Sequence, residues 1–99
     1  MHPSYEFSGE LWIYNGEANW HFVTLPVDIS KEIKSFASPR PRFGSVRVEI
    51  TLGQSIWKTS IFPDSKIGSY ILPIKKEVRT QNKIAAGDKV EVTIALTDI

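Results

Sequence analysis

The sequence contains no cysteine and only two histidines. Without thiols there is no disulfide framework, no thiolate metal site and no cysteine nucleophile. Metal sites usually combine three or four His, Cys or carboxylate ligands, so we expect neither a metal nor a cofactor. No run approaches the ~18 apolar residues of a membrane span, and residues 1–5 lack a basic segment followed by an apolar run. We therefore expect a soluble, cytoplasmic protein with no membrane partner.

The composition is that of a small folded domain. Hydrophobic residues make up 41% of the 99 residues and charged residues 23%, which excludes the disordered, collagenous and coiled-coil classes. Compact domains contain about 50 to 250 residues, so residues 1–99 are predicted to form one domain.

Alternation of apolar and polar residues predicts six strands. They cover residues 5–13, 18–25, 46–52, 55–62, 70–72 and 90–96. In the first strand the alternation places Tyr5, Phe7, Gly9, Leu11 and Ile13 on one side. The strand at 46–52 shows the clearest pattern, with Val, Ile or Leu at every second position.

Turns and two short helices connect these strands. Asn15-Gly16 and Gly53-Gln54 are typical of two-residue hairpin turns. Asp28 or Ser30 is expected to cap a helix that extends to Phe36, and residues 75–82 form a second helix. The proline-containing stretches 38–42 and 63–68 are predicted as loops.

The predicted fold is mainly β, a small six-stranded barrel with two short helices. Two short helices cover little of a sheet, and closure of the sheet removes the exposed edges that would recruit other chains. A flat two-layer α+β sandwich is the main alternative.

Five blocks of the sequence resemble, in the same order, the bacterial domain-of-unknown-function 1905 family. The blocks are WHFVTLP (20–26), VRV (46–48), WKTSIFP (57–63), YILPIKK (70–76) and GDKVEV (87–92). The resemblance spans residues 7–96 and implies a double-split β-barrel, similar in architecture to the AbrB and MazE-like regulators. Members of the family are uncharacterised, so the resemblance implies a fold and no activity. The stretch DSKIG (64–68) replaces the run of glycines that relatives often have.

Trp57, Lys58, Thr59 and Ser60, with Tyr70 on a neighbouring segment, are the candidate ligand-binding residues. Ligand sites are mostly apolar with a few well-placed polar groups, so these side chains suit a small anionic or planar ligand. The alternative is structural, because a tryptophan on a strand is commonly a core residue. Alternation places Trp57 and Thr59 on one side of the strand and Lys58 and Ser60 on the other.

Positive charge is concentrated in the middle of the chain. Residues 40–83 contain nine basic and three acidic residues, although the whole chain has a net charge of +1. The candidate nucleic-acid or anion contacts are Arg40, Arg42, Arg47, Lys76, Arg79 and Lys83. The last three follow the spacing of one helix face. Nucleic-acid-binding domains usually have a pI above ~9, against 8.0 here, so a solvated surface is the favoured interpretation.

His21 is the one candidate general base outside the N-terminus. No nucleophile motif or partner accompanies it in the sequence, so no enzymatic activity is expected. Trp12 and Tyr14 alternate onto the face opposite Leu11 and are expected to be at least partly buried. If they are exposed, they form a patch for a partner.

We therefore predict a binding or interaction module for an unknown small molecule or protein, with a homodimer possible. The alternatives are an AbrB-like nucleic-acid-binding regulator and an enzyme that uses His21.

Overall fold

The computed structural model describes residues 3–14, 20–36 and 44–97. The elements are β1 (Ser4–Ile13), β2 (His21–Thr24), α1 (Val27–Phe36), β3 (Val46–Leu52), β4 (Ser55–Asp64), β5 (Ser69–Pro73), α2 (Lys76–Asn82) and β6 (Lys89–Leu96). The six strands and two helices confirm the mainly β prediction. The expected hairpin at Asn15-Gly16 and the expected loop at 38–42 lie outside the described residues.

The strands form a closed barrel in the order β1-β2-β5-β4-β3-β6, and all neighbours are antiparallel. The closed barrel rules out the flat sandwich. Long ladders join β1 to β6 and β3 to β4, whereas the ladders β1–β2, β2–β5 and β4–β5 each pair three residues. One side of the barrel is therefore extensively hydrogen-bonded, and the other closes through short contacts.

Strand β1 belongs to both sides of the barrel. Its residues from Ser4 to Glu10 pair with β6, and Leu11 to Ile13 pair with β2. Gly9 lies at the end of the first ladder, where a Cβ atom would come 2.7 Å from Val23 Cγ1. The absence of a side chain at Gly9 therefore lets β1 pass close to β2.

The inward stripes of β3 and β6 form a large part of the core. Fully buried side chains there include Val48, Ile50, Ile94 and Leu96, as the alternation predicts. Burying one such side chain contributes about 1.5–3 kcal/mol relative to its exposure. Ile13 is an exception to the predicted stripe, because it lies at the end of β1 beyond the β6 ladder and is 50% exposed.

Helix α1 packs on β5 through two buried residues, Ser30 and Ile33. The predicted cap is wrong: the helix already begins at Val27, and the Pro26 carbonyl accepts the Ser30 N–H at 2.9 Å. The Ser30 hydroxyl instead accepts the Tyr70 backbone N–H at 3.1 Å. This buried hydrogen bond joins the helix to the barrel.

Strand β4 is longer than predicted, because Pro63 and Asp64 continue it opposite Tyr70 and Ser69. A proline costs no ladder hydrogen bond where its nitrogen faces no partner strand. On that side the β3 ladder has already ended at Val46↔Ile61. The position therefore tolerates proline within the strand.

Helix α2 is tied to the β3–β4 turn by Asn82. Its Oδ1 accepts the Gln54 N–H at 2.9 Å, and its Nδ2 lies 2.9 Å from both Ser55 Oγ and the Val78 carbonyl. Gly53 in the turn has φ 58°, and a Cβ there would collide with the Asn82 side chain. The turn and the end of the helix thus fit together only with glycine at this position.

Candidate functional site

A groove opens where β4 and β5 diverge. Their ladder ends at Phe62↔Ile71, and the first half of β4 then runs beside the β5–α2 connection without pairing to it. The space between them has a volume of about 410 Å³. The residues that line this β4 groove are Trp20, His21, Trp57, Lys58, Thr59, Pro73, Ile74, Lys75 and Lys76.

Two tryptophans supply flat apolar surface to the β4 groove. Trp57 is half-buried, because it packs against the core with part of its ring and lines the groove with the rest. Trp20 is 56% exposed and stacks on Phe22, with ring centroids 6.0 Å apart and an interplanar angle of 16°. Phe22 also contacts Trp12, whose indole donates a hydrogen bond to the Thr24 hydroxyl at 2.9 Å. Rings held in this way lose little conformational freedom when a ligand stacks on them.

Three lysines surround the same groove. Lys58 comes from β4, whereas Lys75 and Lys76 come from the start of α2, and all three are exposed. Lys75 Nζ lies 3.7 Å from the Glu77 carboxylate, an exposed pair that contributes little to stability. Cations that converge on one concave surface raise the local concentration of anions.

His21 enters the groove with its ring orientation fixed by Arg79. Arg79 Nη1 lies 2.8 Å from His21 Nδ1 and donates to the Ile74 carbonyl at 3.2 Å. A guanidinium is always a donor, so Nδ1 accepts and the ring proton of the neutral histidine is on Nε2. His21 therefore has a partner that the sequence did not indicate, and its Nε2–H is left as a hydrogen-bond donor.

The structure contradicts the prediction that Lys76, Arg79 and Lys83 share one exposed face of the second helix. Lys76 is exposed at the groove, but Arg79 is half-buried against His21. Lys83 lies beyond the helix, in a left-handed conformation with φ 53°. A helix that ends at Asn82 cannot carry the third position of the stripe. Arg47 is exposed on β3 and donates to Ser60 Oγ at 3.3 Å.

Arg40 and Arg42 lie outside the described residues. Of the six basic candidates, the four that the structure describes do not form one surface.

The five ligand candidates are also separated. Trp57, Lys58 and Thr59 line the β4 groove, whereas Ser60, the next residue of the strand, does not. Tyr70 lies opposite Pro63, beyond the point where β4 and β5 begin to pair. It lines a different cavity of about 480 Å³ between α1 and the β4–β5 turn, beside Lys31, Lys34 and Asp64.

Tyr70 makes stability depend on pH at the alkaline end. Burial raises the pKa of its hydroxyl above the usual 10.0, because the phenolate would be poorly solvated. Above pH ~10 the unfolded chain loses this proton first, so the free energy of unfolding should fall as pH rises further. We expect Tyr70→Phe to flatten this fall in urea unfolding measured from pH ~8 to ~11.

Tyr5 is a second tyrosine to which the same linkage applies. Burial and the neighbouring Glu32 raise the pKa of its hydroxyl as well. Tyr5→Phe should therefore remove its own part of the alkaline fall, and Tyr5→Phe combined with Tyr70→Phe should flatten the profile further than either substitution alone. An unchanged pH profile in Tyr70→Phe would contradict the assignment to Tyr70.

The sequence alone did not identify three parts of the groove: Trp20, Lys75 and the wall formed by Pro73 and Ile74. These residues lie in two of the blocks that resemble the family, at 20–26 and 70–76. Nothing in the alternation of these segments indicated that they meet β4.

Among residues 3–14, 20–36 and 44–97, no group of three or more His, Cys, Asp or Glu side chains is placed to hold a metal ion. Neither helix found there has the length and apolar character needed to cross a membrane.

Comparison with known proteins shows the family and no activity. No curated protein matches the chain. The sequence profile described as "Domain of unknown function (DUF1905)" matches residues 7–94, which is most of the chain. The barrel described above is thus the fold of a chain that belongs to the DUF1905 family.

Proposed function

We propose that this protein is a non-enzymatic binding module whose β4 groove holds an anionic partner with a flat apolar part. The observation that carries the proposal is the convergence of Trp20, Trp57, Lys58, Lys75 and Lys76 from three separate segments. Cavities of about 300–1,000 Å³ are typical of ligand sites, and the β4 groove is within that range.

The groove offers two kinds of contact to such a partner. Stacking on a fixed tryptophan contributes about 0.5–1.5 kcal/mol beyond the area it buries. The lysine ammonium groups and the His21 Nε2–H are donors only, so they favour carboxylate, phosphate or sulfonate oxygens.

The same geometry argues against catalysis by His21. Thr59 is the hydroxyl residue that shares the groove with it. A general base needs a free lone pair toward the nucleophile, but Nδ1 accepts from Arg79 and Nε2 carries the proton. His21 in this tautomer therefore positions a hydrogen bond and does not activate Thr59.

Naphthalene sulfonate, a planar anion, is the probe that tests the proposal. We expect its binding, measured by calorimetry and NMR at low salt, to shift the Trp57 indole and the Lys58 amide signals. Lys58→Ser combined with Lys75→Ser should weaken binding by about tenfold or more, because two cations leave the groove.

Lys66→Ser is the matched control, since Lys66 is an exposed lysine in the β4–β5 turn, away from the groove. It should leave the affinity within about twofold, as expected for a remote surface charge. Naphthyl trimethylammonium, the cationic counterpart of the probe, should bind much more weakly. Two results would overturn the proposal: equal affinities of the two probes, or a loss of affinity in Lys66→Ser as large as the loss in the variant that combines Lys58→Ser with Lys75→Ser.

Single-stranded nucleic acid is the second candidate, favoured by the combination of two tryptophans with three lysines. Bases stack on aromatic rings while cations contact the phosphates, and such binding weakens steeply with salt. An oligothymidine titrated at ~50 mM salt tests this alternative. Tight binding that Lys58→Ser and Trp57→Ala both abolish would favour nucleic acid over a small anion.

A further inference from the structure

The groove-facing edge of β4 has no strand partner among the described residues. Strand β3 pairs with β4 from Ser55 to Ile61, and β5 pairs only with Phe62, Pro63 and Asp64. Residues 55–61 therefore have a hydrogen-bonded neighbour on one side only. Unpaired edges of this kind are templates for the addition of another strand.

The turn determines which backbone groups the edge presents. In a hairpin with the two-residue turn Gly53-Gln54, the flanking residues Leu52 and Ser55 form a hydrogen-bonded pair. Hydrogen-bonded and non-hydrogen-bonded pairs then alternate along the ladder. The N–H and C=O groups of Ile56, Lys58 and Ser60 consequently point away from β3, toward the groove.

The groove is long enough for an extended chain. A second space of about 340 Å³ adjoins it and shares Trp57 and Lys75, and it runs beside β4 back to Gln54. From Ser55 to Ile61 the edge without a β5 partner extends roughly 20 Å, since each of its six steps advances about 3.3 Å. This length accommodates an extended peptide of about six residues.

We propose that the β4 groove takes an acidic, extended segment of a partner protein, which adds to β4 as an antiparallel strand. This inference rests on the proposed function and identifies the anionic partner. The cations Lys58, Lys75 and Lys76 provide the charge complementarity. They also disfavour a second copy of this chain, because edge-to-edge pairing over the full length of the edge, centred on Lys58, would bring Lys58 close to its own counterpart.

The alternation of β4 predicts the pattern of the segment. Side chains directly opposite each other in a ladder share one face of the sheet. Residues opposite the exposed Ile56 and Lys58 and the half-buried Ser60 lie on the outer face, where an acidic side chain meets Lys58. Residues between them face the half-buried Trp57 and are expected to be apolar. The segment should therefore alternate acidic and apolar residues.

A capped six-residue peptide of alternating glutamate and valine is the probe. In the proposed register the glutamate N–H groups face β4, and the valine N–H groups point away. N-methylation of the glutamates should weaken binding by about tenfold or more, because it removes every donor to the edge. N-methylation of the valines should leave the affinity within about threefold. Calorimetry measures both, and NMR should show slowed exchange of the Ile56, Lys58 and Ser60 amides.

The outcomes separate the two proposals. If both methylated peptides bind with the affinity of the parent peptide, strand addition is wrong, but the proposal that the groove binds anions still holds. If the peptide fails to bind at ~1 mM but naphthalene sulfonate binds, strand addition is again wrong. If neither binds, the proposed function fails as well. Sedimentation of the free chain as a dimer with protected β4 amides would assign the edge to a second copy and overturn the inference.

Discussion

Asn82→Ala should lower the free energy of unfolding by about 1.5–4.5 kcal/mol, because it removes three hydrogen bonds that each contribute about 0.5–1.5 kcal/mol. These bonds involve the Gln54 N–H, the Ser55 hydroxyl and the Val78 carbonyl. Since the start of α2 contributes Lys76 to the groove, the same variant should also weaken binding of naphthalene sulfonate. Urea unfolding and calorimetry measure the two effects.

Two substitutions in the same helix serve as controls. Asn82→Asp keeps the acceptor for the Gln54 N–H but loses both Nδ2 contacts, so its stability should lie between those of the wild type and Asn82→Ala. Thr80→Ala changes an exposed residue and should alter stability by no more than about 0.5 kcal/mol. Equal stabilities of Asn82→Ala and Thr80→Ala would show that the tie between turn and helix does not stabilise the fold.

Gly9→Ala should destabilise the barrel by about 1–3 kcal/mol, the usual cost of adding a methyl group to a packed site. The new Cβ would come 2.7 Å from Val23 Cγ1, and Val23 is fully buried. Neither side can yield easily, because β1 is held by β6 and Val23 pairs with both Leu11 and Leu72.

A double-mutant cycle isolates this contact. In a Val23→Ala background the space near Cγ1 is vacant, so adding Gly9→Ala should cost less than it does in the wild type, with a coupling energy of about 0.5–3 kcal/mol. Ser8→Ala, at the exposed neighbouring position, is the control for a change of strand composition. The same cost in both backgrounds would mean that the close approach of β1 to β2 is not responsible.

The strands could be predicted because the residue pattern of each strand depends on which of its faces is buried. A half-buried strand needs an apolar residue at every second position, and β3 and β6 show this pattern without reference to any other segment. Gly53-Gln54 likewise predicts its turn locally. The local pattern gave a wrong prediction in two places. Ile13 is exposed because it lies beyond the end of the β6 ladder, and α1 begins directly after Pro26 rather than at a cap formed by Asp28 or Ser30.

The candidate site was only partly predictable. Trp57, Lys58 and Thr59 were identified together because they are consecutive on one strand. Tyr70 was wrongly grouped with them, since closeness in sequence does not show which end of a ladder a residue occupies. Arg79 was taken for a solvated helix residue, but its guanidinium contacts His21, 58 positions away.

The amino-acid sequence by itself determined a mainly β fold with six strands and two short helices, and membership of its family. These properties depend on residue periodicity, turn chemistry and blocks that can be compared one position at a time. The tertiary structure alone decided that the β4–β5 ladder stops at Phe62 and that Trp20, Trp57 and Lys75 therefore meet across a groove. The physical reason is that barrel closure brings together segments more than 15 residues apart, and no local pattern records where two strands separate.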